Sequence, residues 1–167
     1  SSLTSIKMPD NITEIPSYSF AGCSSLTSVE MSDDVTSFGS GLFYGCSALT
    51  TIKIPSGMTQ INSYTFQGWD GLKNIKLPDN IRAIGENAFS GCKNLEKVEM
   101  SDNVQEIGSY AFNGCSGLKE INLSKNLTFI GYYAFEDCTS LISVVFPNSL
   151  KEINAWTFNG CTSLTSI

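Results

Sequence analysis

The chain has 167 residues, 41% of them hydrophobic and only 16% charged, with a formal net charge of −6 and Arg82 as its one arginine. That composition is too apolar for a disordered chain, holds no uninterrupted apolar run long enough to span a bilayer, and offers no basic stripe for nucleic acid. Histidine is absent, so neither Ser-His-Asp nor Cys-His catalysis is available, and no enzyme, cofactor or metal centre is expected.

A leucine recurs at Leu3, Leu26, Leu49, Leu72, Leu95, Leu118 and Leu141, always 23 residues apart, and an eighth copy opens at Leu164. Seven repeats thus fill residues 3–163, with the start of another at 164–167. A fixed period of this length marks a solenoid whose units bury their apolar faces only by stacking on one another. Residues 1–167 are therefore read as a single array. SLTSI stands at 2–6 and again at 163–167, and neither end diverges into a polar cap. The expectation is a piece of a longer array, with end-to-end stacking through uncapped coils as a further possibility. No positively charged start followed by an apolar stretch is present.

Counting each leucine as position one, positions four and six are apolar in every copy, as in Ile6 and Met8 or Val98 and Met100, while the residues between are mostly polar. This alternation predicts a short strand with one buried face. Position seven is Pro9, Pro55, Pro78, Pro147 or serine, where the ladder should stop for want of an N–H donor. Positions ten and thirteen are again apolar and predict a second short strand. Position fourteen is Gly39, Gly85, Gly108, Gly131, Asn62 or Asn154, residue types that tolerate positive φ, so a sharp corner is expected there. Pro16, in the first copy, cannot adopt that conformation.

A segment of the kind SYAF follows and predicts a single 3₁₀ turn. Phenylalanine holds position eighteen in all seven copies, from Phe20 to Phe158, which predicts a column of stacked rings. The expected fold class is a mainly β repeat solenoid, with parallel short strands on one or two faces, 3₁₀ turns between them, right-handed crossovers and low curvature.

The pattern LxxIxLPxxIxxIGxxAFxGCxx resembles the BspA-like branch of the leucine-rich repeats across the whole chain. Trp69 in place of cysteine and Gly41-Leu42 in the second copy are the main departures, and the asparagine ladder of commoner leucine-rich repeats is not assumed. The resemblance implies a cell-surface or secreted protein of bacteria or protists, with an adhesive role toward extracellular or host-surface proteins.

Cys23, Cys46, Cys92, Cys115, Cys138 and Cys161 all hold position twenty-one. A ladder in register keeps their Cβ atoms roughly 4.8 Å apart, wider than the roughly 3.8 Å of a disulfide, so buried thiols are expected. Asp10, Asp33, Asp79 and Asp102 share position eight and read as solvated turn residues rather than a calcium ladder. Sequons at Asn11, Asn122 and Asn126 are turn residues first.

The candidate binding face is the outward side of the first strand, where Lys73, Lys76, Lys97, Glu99, Lys119 and Glu120 give way to Ile142 and Val145. Against it stands a plainer account, in which Lys76 with Glu99 and Lys97 with Glu120 are only cross-strand pairs. Phe129, Tyr132, Tyr133 and Trp156 form a second candidate patch. Tyr18, Tyr64 and Tyr110 share position sixteen with Tyr133 and Trp156, which favours packing there. The function expected is a non-enzymatic protein-binding module; the alternatives are a structural spacer and a glycan-binding surface.

Overall fold

The computed structural model describes residues 2–167, and the strands run on two faces of a stacked coil. The first face carries β1 (Ser5–Lys7), β3 (Ser28–Glu30), β6 (Asn74–Lys76), β8 (Lys97–Glu99), β10 (Glu120–Ile121) and β12 (Ser143–Val144). The second carries β2 (Glu14–Ile15), β4 (Ser37–Phe38), β5 (Gln60–Ile61), β7 (Ala83–Ile84), β9 (Glu106–Ile107) and β11 (Phe129–Ile130). Every pairing is parallel and joins residues one repeat apart, as in Ser5 with Ser28 and Ile84 with Ile107. The first-face strands associate as β1–β3, β6–β8 and β10–β12, and the second-face strands as β2–β4 and a four-stranded run β5–β7–β9–β11.

The link between the faces is a hydrogen-bonded turn from position seven to position ten, such as Ile81 N–H to the Pro78 carbonyl at 3.1 Å and Leu127 N–H to the Ser124 carbonyl at 3.1 Å. Proline and serine solve this turn differently. Proline fixes φ and brings no donor, whereas the hydroxyls of Ser32, Ser101 and Ser124 accept the N–H two residues on, at 3.1–3.3 Å, as serine does in turns. Asparagine at position nine then ties coil to coil: Asn103 and Asn126 donate from Nδ2 to the carbonyls of Asp79 and Asp102, both at 2.8 Å. An asparagine ladder therefore exists, at a position of its own.

A third ladder follows the turn side, where N–H groups at positions sixteen, eighteen and twenty donate to the next coil. Tyr110, Phe112 and Gly114 bond in this way to Tyr132, Ala134 and Glu136 at 2.8–2.9 Å. Inside, the leucines from Leu26 to Leu141 are fully buried, each worth roughly 1.5–3 kcal/mol relative to exposure. Phe89, Phe112 and Phe135 stack in sequence at 5.1 and 5.2 Å, within 4° of parallel. Those separations lie close to the spacing of paired strands.

The corner expected at position fourteen lies elsewhere. Positive φ falls at position sixteen (Tyr18, Gly41, Tyr64, Asn87, Tyr110, Tyr133, Trp156) and at position twenty (Gly22 to Gly114, Asp137, Gly160). Position fourteen is instead a place of close approach. A Cβ on Gly85 or Gly108 would stand 2.6–2.7 Å from a backbone nitrogen of the preceding coil, and the glycine N–H groups bond at 2.8 Å to carbonyls such as Ile61 and Ile84. Pro16 is thus no anomaly, since no copy needs positive φ there. The left-handed residues also divide the SYAF segment into separate turns, so it forms no continuous 3₁₀ helix.

Where position fourteen is not glycine, position seventeen carries a hydroxyl. Ser19, Thr65 and Thr157 donate to the carbonyls of Pro16, Asn62 and Asn154 at 2.7–2.9 Å. The amide of Asn62 also takes the Phe38 carbonyl at 3.0 Å, the role that a glycine N–H has in other coils. This substitution sits at a seam. The third copy has no first-face strand among the described residues, β4 and β5 are not paired, and the column of rings opens to 6.3 Å between Phe43 and Phe66. Trp69 fills the space, its ring 4.8 Å from Phe43 and its Nε1 bonded to the Leu49 carbonyl at 2.8 Å.

Candidate binding surfaces

All of the first-face candidates are exposed. Lys76, Lys97 and Glu99 surround a shallow hollow of about 130 Å³, floored by Ile75 and bounded by Thr51 and Asn74. It opens where the third copy lacks its strand. Register places Lys76 opposite Glu99 and Asn74 opposite Lys97. The expected cross-strand ion pairs give way to one within a strand: Lys97 Nζ lies 2.8 Å from Glu99 Oε1. Both side chains project from the same face two residues apart, so the shorter path is along the strand. That hydrogen bond holds the Glu99 carboxyl below its ordinary value and raises Lys97, with Lys76 and Glu120 adding weaker attraction.

Toward the end of the face the charges stop. Ile142 and Val145 are 52% and 80% exposed, and Ile142 N–H bonds to the Lys119 carbonyl at 3.0 Å, so the apolar end adjoins the charged centre. Val145 also borders a depression of about 340 Å³ with Leu123, Phe146 and Pro147.

Of the second patch, the structure brings together Tyr133 and Trp156, not Phe129 and Tyr132. Tyr110, Tyr133 and Trp156 stack at 4.9 and 6.3 Å, within 5° of parallel. Phe129 and Tyr132 stand exposed outside that column. In a stacked column the ring faces meet one another and only edges face the solvent, so its interior rings offer no platform for a sugar.

The six cysteines are free. Five of them donate from Sγ to a phenylalanine carbonyl of the preceding coil at 3.0–3.2 Å. Burial pushes the Cys46 thiol up to about 11 and Cys92 to about 12. Two of the position-eight aspartates serve as caps. Asp33 accepts the Ser56 N–H at 2.9 Å and pairs with Lys53 at 2.8 Å, and Asp102 pairs with Lys125 at 2.8 Å. Among the described residues no three Cys, Asp or Glu side chains cluster as metal ligands would, and no helix is long and apolar enough to cross a membrane.

A coil of short parallel strands and an outer turn, without a helix among the described residues and closed every 23 residues on a leucine–phenylalanine core, defines a leucine-rich-repeat solenoid. The family model for the BspA type leucine rich repeat region matches in six copies over residues 1–116 and 82–167, and the chain belongs to that family. The structure is similar to a leucine rich repeat protein of T. pallidum, 35% identical with a TM-score of 0.67, the match covering 68% of this chain and 56% of that one. A leucine rich cell surface protein of Faecalibacterium prausnitzii is 25% identical with a TM-score of 0.68, over 98% of this chain and 59% of that one. The pneumococcal vaccine antigen PcpA, 19% identical with a TM-score of 0.67 over 98% of this chain and 56% of that one, shares the fold. The chain thus spans little more than half the length of these proteins. No curated protein matches it in sequence.

Proposed function

We propose that the chain is a non-enzymatic recognition module of a cell-surface or secreted protein, and that its outward first face binds an extracellular protein partner. The observation that carries this reading is the run of exposed side chains along that face from the fourth coil to the seventh. Lys119 and Glu120 of the sixth coil lead from the charged hollow at Lys76, Lys97 and Glu99 to exposed Ile142 and Val145, so a charged stretch ends in an apolar anchor. The surface location draws support from the Faecalibacterium relative, which is a cell surface protein.

The test is binding to a panel of extracellular matrix proteins, comparing the chain with a variant in which Lys76, Lys97, Glu99 and Glu120 become serine and with Val145→Asp. Loss of binding in both, with melting curves unchanged, supports the proposal. Retention in both overturns it. Binding to none of the panel returns the array to a spacer role.

A further inference from the structure

The glycines of position twenty hold a left-handed conformation from Gly22 to Gly114, with φ of 64–75°. All but Gly68, which the Tyr44 ring covers, also share open space. A Cβ on Gly22 would meet nothing within 4 Å, and one on Gly45, Gly91 or Gly114 would touch only the glycine of the preceding coil at 3.8–3.9 Å. These residues therefore form a floor of bare backbone along the turn side. At the sixth coil Asp137 takes the same conformation, φ 56°, and its carboxylate lies over Gly160, so the floor is covered there.

Gly68 and Gly91, of the third and fourth coils, lie in a cleft of about 550 Å³, within the size range of ligand sites. Tyr44, Gln67 and Ser90, all at position nineteen, line one side, and Asp70 and Lys93, at position twenty-two, the other. Tyr44 is 54% exposed, with ring atoms 2.6 Å from where a Cβ on Gly68 would stand.

Further along, position nineteen satisfies itself. Asn113 and Asn159 donate to the two oxygens of Glu136 at 2.9 Å. In the cleft, the Tyr44 hydroxyl, Gln67 amide, Asp70 carboxylate and Lys93 ammonium have no hydrogen-bond partner among the described residues. These groups comprise one anion, one cation, one amide and one phenol ring, an assortment that suits an uncharged ligand rich in hydroxyls. An extended peptide fits less well. Strand addition needs free backbone donors, and the N–H groups of Gly45, Gly68 and Gly91 are already bonded to the next coil at 2.7–3.1 Å.

We propose that this glycine-floored cleft binds a neutral oligosaccharide lying along the array, with Tyr44 packing against a sugar ring and Gln67, Asp70 and Lys93 bonding its hydroxyls. The site is separate from the first face and does not depend on the reading given for it.

Titration with hexaoses of β-1,4-glucose, α-1,4-glucose and β-1,4-N-acetylglucosamine, followed by amide NMR shifts, tests the proposal. The expected result is millimolar or tighter binding of at least one hexaose, with shifts at the Gly68 and Gly91 amides. Both Tyr44→Ala and Gly91→Asn should weaken it by about tenfold or more, while the four-serine first-face variant retains it. Asp137 shows that the fold accepts a side chain at position twenty, so Gly91→Asn obstructs the floor without a new backbone conformation. Should that variant nevertheless melt early, exposed Tyr44 decides the matter alone. No shift at these glycines with any of the three hexaoses at roughly 10 mM, or binding indifferent to both variants, overturns the proposal.

Discussion

Truncating Phe112 to alanine tests the stacked core most directly. The ring is fully buried and lies parallel to Phe89 at 5.1 Å and Phe135 at 5.2 Å, so its removal opens a cavity and ends two stacking contacts. Loss of a buried phenylalanine costs about 3–5 kcal/mol, within which each stack accounts for roughly 0.5–1.5 kcal/mol. For a chain of this size that corresponds to a melting temperature lower by roughly 6–20 °C. Phe158 gives an internal comparison. It is only partly buried, with Phe135 at 5.4 Å and Phe146 edge-on at 5.8 Å, and Phe158→Ala should cost clearly less. Because stability in a repeat array resides in neighbouring interfaces, amide exchange in Phe112→Ala should quicken first at Phe89 and Phe112, whose N–H groups bridge to Ala111 and Ala134. A denaturant-melt loss below about 1 kcal/mol for Phe112→Ala would refute the stacked core.

Gly108→Ala, which forces a Cβ against backbone 2.7 Å away, should cost about 1–3 kcal/mol, while Gly114→Asn at the open position should cost less than about 1 kcal/mol; paired thermal melts decide the order. Thr65→Ala removes the buried hydroxyl bonded to the Asn62 carbonyl at 2.9 Å and should cost about 1 kcal/mol, read in denaturant melts. The buried thiols should resist an aromatic disulfide reagent at pH 8 in the native state and react fully in denaturant, with half-buried Cys23 and Cys161 first; rapid native labelling of Cys92 or Cys115 contradicts the hydrogen-bonded ladder. The Lys125 bond lowers Asp102 from 3.8, and Lys125 is raised in turn from 10.5. The aspartate's contribution is therefore present above pH 3.8 and lost as pH falls through its folded value, and the lysine's is present below 10.5 and lost as pH rises through its own. Asp102→Asn should flatten the acid limb of a melting-temperature profile, and an unchanged limb would count against that pairing.

The strand alternation at positions four and six, the phenylalanine column and the cysteine ladder were legible because each repeats one kind of residue, apolar, aromatic or thiol, at fixed positions facing one environment. Position fourteen misled because glycine serves two needs, left-handed φ and close backbone approach, and the letter does not distinguish them. Pro16 carried the distinction, since proline forbids positive φ, and the joint change of positions fourteen and seventeen in Pro16–Ser19, Asn62–Thr65 and Asn154–Thr157 was visible as well. The outward face was readable from the pleat, but the Lys97–Glu99 pair depended on side-chain reach. The turn-side cleft had no such signal. Its lining comes from positions nineteen and twenty-two of successive coils, but Tyr44, Gln67 and Ser90, like Asp70 and Lys93, differ in residue type, so only stacking brings their chemistry together.

The seam at Asn62 bears on mechanics. The ladder hydrogen bonds lie along the stacking direction, so tension applied from one end of the array to the other pulls directly on them and opens coils like a zip rather than shearing them. Resistance at each interface then follows the number of backbone bonds acting together. Between the second and third coils, the second-face strand pair is replaced by side-chain bonds from Asn62 to Ser37 and Phe38. Under load the array should part there first, and Asn62→Gly should shift that first opening to higher force in single-molecule pulling.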